Sequence, residues 1–163
     1  MKILLIRTAP LPLCDWAVEK LAAEFPSDKI DVLTRSDSAA HFERNPHVWK
    51  VFRYPGEFFD YHKARETVLP QLEAEKYESV AFIYNTPEKE GFFHIHVMAR
   101  HLKPRSVVAF DLERNMNIES LSGFHAGRWC GIIIRKLILV PFLSVAAAIM
   151  KAFCALKGTH PET

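Results

Sequence analysis

Residues 1–7, MKILLIR, decide the fold. Ile3-Leu4-Leu5-Ile6 is an unbroken apolar run with one lysine before it and one arginine after it. A strand with one wet face alternates apolar and polar residues, whereas a strand covered on both faces reads as continuously apolar. The run therefore predicts a central, doubly covered strand of a parallel sheet. Pro10 and Pro12 punctuate the next loop, and an amphipathic helix follows to about Phe25. There Val18, Leu21, Ala22 and Phe25 recur at i, i+3, i+4 and i+7, while Glu19, Lys20 and Glu24 face away. Asp15 stands where it would cap that helix, and Pro26 stops it.

The same alternation continues along the chain. Ile30–Thr34 predicts a second strand and Ser36–Arg44 a short helix. Asn45-Pro46 turns into a third strand around Val48–Tyr54. A loop with Pro55-Gly56 and Phe58-Phe59 leads to a helix from about Tyr61 to Lys76, with a kink or a late start expected at Pro70. Ser79–Tyr84 predicts a fourth strand. Glu90–Leu102 predicts a helix with Phe92, Ile95, Ala99 and Leu102 on one face, and Ser106–Phe110 a fifth strand. Strands alternating with helices imply right-handed crossovers and helices on both faces of the sheet. The expected fold class is α/β: a Rossmann-like three-layer sandwich with a mainly parallel sheet of about five strands, over residues 1–126. Ligands of such sheets bind outside the carboxyl ends of the strands. That selects the loops Arg7–Cys14, Arg35–Asp37, Tyr54–Phe59, Asn85–Gly91 and Asp111–Arg114.

Composition bounds the partners. The chain has 163 residues, 49% of them hydrophobic and 25% charged, which is average for one globular domain and excludes a disordered or disulfide-dense chain. A net charge of +2 is too balanced to predict a nucleic-acid partner. Cys14, Cys130 and Cys154 form no CxxC or zinc spacing and fit a reducing compartment. The N-terminal apolar run is too short for a signal peptide. The expected localisation is cytoplasmic.

Residues 127–163 differ in character. Between Gly127 and Gly158 the charges are Arg128, Arg135, Lys136, Lys151 and Lys157, all positive, and Leu137–Met150 is uncharged. That run is shorter than the roughly 18 residues a membrane span needs, and Pro141 interrupts it. Two readings of this apolar, basic helical tail stay open. In one it is a buried or homo-oligomer-forming helix pair. In the other it lies in the plane of a membrane surface, peripheral on the inner face of the cytoplasmic membrane. Trp129, Ile133, Arg135, Lys136, Leu139, Phe142 and Lys151 are its candidate contacts under either reading.

Chemical motifs are sparse. Arg7-Thr8-Ala9-Pro10 fills the turn where a dinucleotide-binding chain has GxGxxG, and Walker A, GxSxG and HExxH are absent, so no cofactor is expected. On a helix His94 and His96 point about 200° apart, and His94 and His101 sit two turns apart, so no metal site is expected. His41, His47, His62 and His125 have no carboxylate partner nearby in sequence. Asp15 is the one acid near the first ligand-facing loop, as helix cap or as general base. Asp111 and Arg114 close the fifth strand, as a surface salt bridge or as groups addressing an anionic sugar or phosphate.

Several segments together resemble a known family. MKILLIR, a helix ending AAEFP, KIDVLTR and NPHVWKVFRYP, followed by EKYESVAFIYNTPEKEGFFHIHVMARHLKPRSVVAFDLER, are similar in order and spacing to the bacterial ADP-heptose:lipopolysaccharide heptosyltransferases over about residues 1–114. The resemblance implies the N-terminal, acceptor-side half of a two-domain (GT-B) glycosyltransferase, active in lipopolysaccharide synthesis at the inner membrane. It makes Arg7, Thr8, Asn85, Thr86, Asp111 and Arg114 candidate acceptor-binding residues. It implies a lipid-linked glycan acceptor and a separate donor-binding glycosyltransferase subunit as partners. The chain departs from the family twice. Pro10 and Leu11 stand where the family has Gly-Asp, its aspartate being the expected base, and Tyr84-Asn85-Thr86 replaces an acidic Asp-Leu-Gln type of loop. Asp15 is the remaining catalytic candidate, and a non-catalytic scaffold on a degenerate glycosyltransferase fold is the alternative.

Overall fold

The computed structural model describes residues 1–86 and 91–120, which lie in one compact unit, Met1–Leu121. Six strands form one sheet: β1 (Lys2–Ile6), β2 (Lys29–Arg35), β3 (Val48–Tyr54), β4 (Ser79–Ile83), β5 (Ser106–Phe110) and β6 (Met116–Ser120). Their order is β3-β2-β1-β4-β5-β6. β1 to β5 are parallel, and β6 runs antiparallel to β5, with Val108 opposite Ile118. The chain steps outward from β1 through β2 to β3, then returns to β4 on β1's other side. The order reverses between β1 and β4.

The helices are α1 (Leu11–Glu24), α2 (Ala39–Phe42), α3 (Tyr61–Thr67), α4 (Leu69–Glu75) and α5 (Phe93–Leu102). One face of the sheet, carrying Ile3, Leu5, Ile30, Val32, Ala81, Ile83, Val108 and Phe110, packs on Cys14, Ala17, Val18 and Leu21 of α1 and Phe42 of α2. The alternate residues Leu4, Ile6, Leu33, Val80, Phe82 and Val107 are buried as well. They point to the opposite face because strand side chains alternate. The three-layer expectation holds, with both faces of β1 and β4 dry.

Three sequence expectations change, and a fourth is sharpened. The sheet has a sixth strand, reached through a turn at Asp111–Asn115 in which Arg114 takes a left-handed backbone (φ 65°). α1 begins at Leu11, so Asp15 lies inside it and caps nothing. Pro10 supplies the cap carbonyl to Leu13 and Cys14, and Pro12 fits the first turn, where a backbone N–H has no helical partner to lose. Ser36–Arg44 resolves into a 3-10 turn (Ser36–Ser38) followed by the single-turn α2. The kink or late start expected at Pro70 is a break at Val68, after which α4 starts afresh at Leu69. Pro70 sits in the first turn of α4, for the reason Pro12 does in α1.

The expectations for the segment 127–163, its seven candidate contacts, His125, Cys130, Cys154 and the helix start at Glu90 lie outside the described residues. Among the described residues no helix is long and apolar enough to cross a membrane.

Candidate functional site

The reversal of strand order puts the candidate site at the carboxyl ends of β1 and β4, with β2 and β5 beside them. Arg7 continues the sheet one step beyond β1, its N–H donating to the Leu33 carbonyl at 2.9 Å. Its guanidinium then donates from Nη1 to Ser38 Oγ at 3.0 Å. Ser38 Oγ donates to Asp37 Oδ1 at 2.7 Å, Arg35 pairs with the other oxygen of Asp37, and Arg35 Nη1 reaches the Glu57 carbonyl at 3.4 Å. A polar chain therefore crosses the ends of β1, β2 and β3. The Ser38 hydroxyl first, and the Arg35 guanidinium second, hold the Asp37 carboxyl below the ordinary aspartate range. Arg7 Nε is enclosed and has no hydrogen-bond partner.

Across the switch point, Thr8 Oγ1 donates to the Ile83 carbonyl at 2.6 Å and accepts from the Ile83 N–H at 3.0 Å. Its hydroxyl thus copies a strand residue and welds the end of β1 to β4. Asn85 Nδ2 donates to the Thr8 carbonyl at 2.8 Å, fixing the loop after β4. Thr86 Oγ1 is enclosed without a partner among the described residues. After β5, Asp111 Oδ1 accepts from the Asn115 N–H at 2.8 Å and Oδ2 from Asn115 Nδ2 at 3.0 Å. Arg114 lies over the Trp16 ring at 5.7 Å. The structure therefore brings Arg7, Thr8, Asn85 and Thr86 to the switch point, while Asp111 and Arg114 serve the β5–β6 turn and α1.

Asp15 has a different neighbour from the one its position in sequence suggests. Both of its carboxylate oxygens meet His41 Nε2, at 2.8 and 2.9 Å, joining α1 to α2. A neutral imidazole that donates from Nε2 keeps Nδ1 as its proton acceptor, so the pair has the form of an oriented base. Cys14, next to Asp15, is fully buried, and burial pushes its thiol up to about 11.

Two further histidines bind helices together. His94 Nδ1 accepts from the Tyr61 N–H at 3.0 Å. His101 spans Tyr61 Oη at 2.9 Å and Glu73 Oε1 at 2.6 Å, tying α5 to α3 and α4. Among the described residues no three of His, Cys, Asp and Glu are grouped to hold a metal ion. Sequence reasoning missed His41 and Ser38. Their only signal is the polar composition of the segment after β2, and both partnerships are long-range.

Comparison with known proteins gives a fold and no more. No family model and no curated protein matches the sequence. Among solved structures, the chain is similar to Escherichia coli ADP-heptose lps heptosyltransferase II, with a TM-score of 0.51 and 16% sequence identity over 68% of this chain. The match spans 30% of that enzyme, so the likeness is to part of its architecture. The described residues therefore share a fold with part of that enzyme.

Proposed function

We propose that this chain is the acceptor-binding half of a divided glycosyltransferase in bacterial cell-surface polysaccharide or lipid-glycan synthesis. The observation that carries the reading is the fold shared with a heptosyltransferase, joined to a carboxyl-edge array of donors at the strand-order switch. Arg7 and Thr86 would take the acceptor's anionic and hydroxyl groups, and the Asp15–His41 pair would accept the proton of the attacking hydroxyl. A separate donor-binding subunit would supply the second wall of the cleft, since positioning donor against acceptor is a large share of such catalysis. The basic, apolar segment 127–163 would attach the assembly to the membrane surface that holds a lipid-linked acceptor.

One observation favours a non-catalytic reading on the same fold. Leu11, at the place the family gives its base, is packed against the hydrophobic core. Under that reading the chain is a glycan-binding scaffold, oligomerising through its C-terminal segment. Amide-resolved NMR titration with de-acylated lipopolysaccharide core oligosaccharide tests the shared element. Saturable shifts at Arg7, Ser38, His41 and Asn85 are expected. Shifts confined elsewhere, or none, overturn the acceptor-site assignment. Transfer dependent on a second chain and abolished by His41→Ala then separates enzyme from scaffold.

A further inference from the structure

At the opposite end of the sheet from these residues, a cavity of about 570 Å³ lies between the end of α1 and the starts of β2 and β3. Its volume is in the range of small-molecule sites, roughly 300–1,000 Å³. Phe25 and Trp49 give it an apolar wall, and Glu19, Asp28, Lys29 and His47 give it a polar one. Trp49 is 64% exposed on edge strand β3, an unusual place for so large an apolar ring. Lys29 Nζ stands 3.8 Å from the ring centroid, so a cation–π contact holds the indole on one side and leaves the remaining surface to solvent.

We infer that this cavity binds a neutral pyranose ring, the sugar's C–H face stacking on the Trp49 indole. A pyranose is amphipathic in the same sense as the cavity: one face of axial C–H groups, and a perimeter of hydroxyls that both donate and accept. The exposed Glu19 carboxylate accepts from such hydroxyls and Lys29 donates to them, while Asp28, paired to the N-terminal ammonium at 3.0 Å, closes the floor of the polar wall. The indole is ordered before binding, which lowers the entropy lost on association. A peptide strand added to β3 fits less well. Lys50 and Arg53 stand on that edge, paired to Glu75 and Glu43, and charged side chains of this kind guard an edge against strand pairing. The inference is independent of the carboxyl-edge reading, because it concerns the other end of the sheet and rests on the cavity's own lining.

The test is a titration of the full-length ¹⁵N-labelled chain with methyl pyranosides and their disaccharides, reading the tryptophan indole N–H signals. Trp49's signal is identified by its absence from Trp49→Phe, which keeps an aromatic ring on the strand. A saturable shift of Trp49, with Trp16 unmoved, is expected below about 50 mM sugar. Glu19→Ala, on the exposed face of α1, is expected to weaken binding at least tenfold while leaving the other amide signals in place. No Trp49 shift by any sugar at that concentration overturns the proposal. So does a shift produced by a proline-rich peptide and by no sugar. Loss of carboxyl-edge shifts with Trp49 binding intact would count against the acceptor site alone.

Discussion

Replacing Tyr77 by phenylalanine probes the least expected feature of the core. Asp31, toward the amino end of β2, is fully buried, and Tyr77 Oη donates to its Oδ2 at 2.8 Å, while Oδ1 has no partner among the described residues. Burial pushes the Asp31 carboxyl above its ordinary range, and the Tyr77 hydrogen bond and the Lys2 charge pull it back. The same burial, with the bond to Asp31, pushes the Tyr77 phenol up, so it remains a donor. Tyr77→Phe strips the carboxylate of its one hydrogen bond. A bond to a charged group contributes about 1.5–3 kcal/mol net, so urea unfolding at neutral pH should show a loss of about 2 kcal/mol. The variant's folded-state Asp31 takes up its proton at higher pH than the parent's, so the variant binds more protons when folded and gains stability relative to the parent as pH falls. The penalty should therefore shrink in acid. In an Asp31→Asn background Tyr77→Phe removes only a neutral bond, about 1 kcal/mol, leaving about 1 kcal/mol of coupling in the double-mutant cycle. A neutral-pH loss below about 0.5 kcal/mol, or an equal loss in both backgrounds, would refute the reasoning.

Three further outcomes follow from the same structure. A Cβ at Gly56 would lie 2.4 Å from Tyr54 Cε1, and Tyr54 is buried; Gly56→Ala should cost about 1–3 kcal/mol and speed exchange of the Asp60 amide, which donates to Tyr54 Oη at 3.0 Å. Hydrogen exchange and urea melts measure both, and unchanged protection of Asp60 counts against it. The Lys2 hydrogen bond first, and Lys50 second, hold the Glu75 carboxyl down at about 2, so its contribution is present above the ordinary 4.5 and is lost as pH falls toward 2. Glu75→Gln should flatten the stability curve across that window, and an unchanged acid limb refutes it. With Cys130 and Cys154 changed to serine, Cys14 should resist a thiol reagent at pH 8 in the folded protein and react in urea, since burial holds its thiol at about 11.

The parallel strands were legible because β1, β4 and β5 are dry on both faces and therefore nearly free of polar residues. β6 was not: Met116–Ser120 has Asn117 and Glu119 among its five residues, and Ile118 is 53% exposed. Its pairing comes from the Asp111–Asn115 turn, whose left-handed residue is an arginine where sequence reasoning looks for glycine. The start of α1 was misread because two prolines look like loop, although a first-turn proline sacrifices no helical bond. The site was half legible. Sheet topology selected the loops carrying Arg7, Thr8, Asn85 and Thr86. The Asp15–His41 pair, 26 residues apart, and the Arg7–Ser38 bond, 31 apart, belong to tertiary packing that no local pattern encodes.

The two ends of the sheet differ in what surrounds their unpartnered polar groups. At the amino end, Glu75 gives one oxygen to Lys2 and the other to Lys50, and Tyr77 faces Asp31. The unpartnered atom there, Asp31 Oδ1, belongs to a residue with no exposed surface, so no ligand can reach it, and its cost falls on stability. At the carboxyl end Thr34 Oγ1 is likewise unpartnered in a buried residue of β2, but two further unpartnered atoms, Arg7 Nε and Thr86 Oγ1, belong to half-exposed residues where strands pass into loops. An unsatisfied donor one side-chain turn from solvent is cheap to keep when a ligand completes it, whereas one sealed in a strand is not. Substitutions in the Lys2–Glu75–Lys50 network should therefore move the unfolding midpoint and leave oligosaccharide shifts at the carboxyl edge unchanged. Arg7→Lys should do the reverse, because lysine keeps the charge and loses the Nε donor. Oligosaccharide shifts that survive Arg7→Lys undiminished would remove Arg7 from the site.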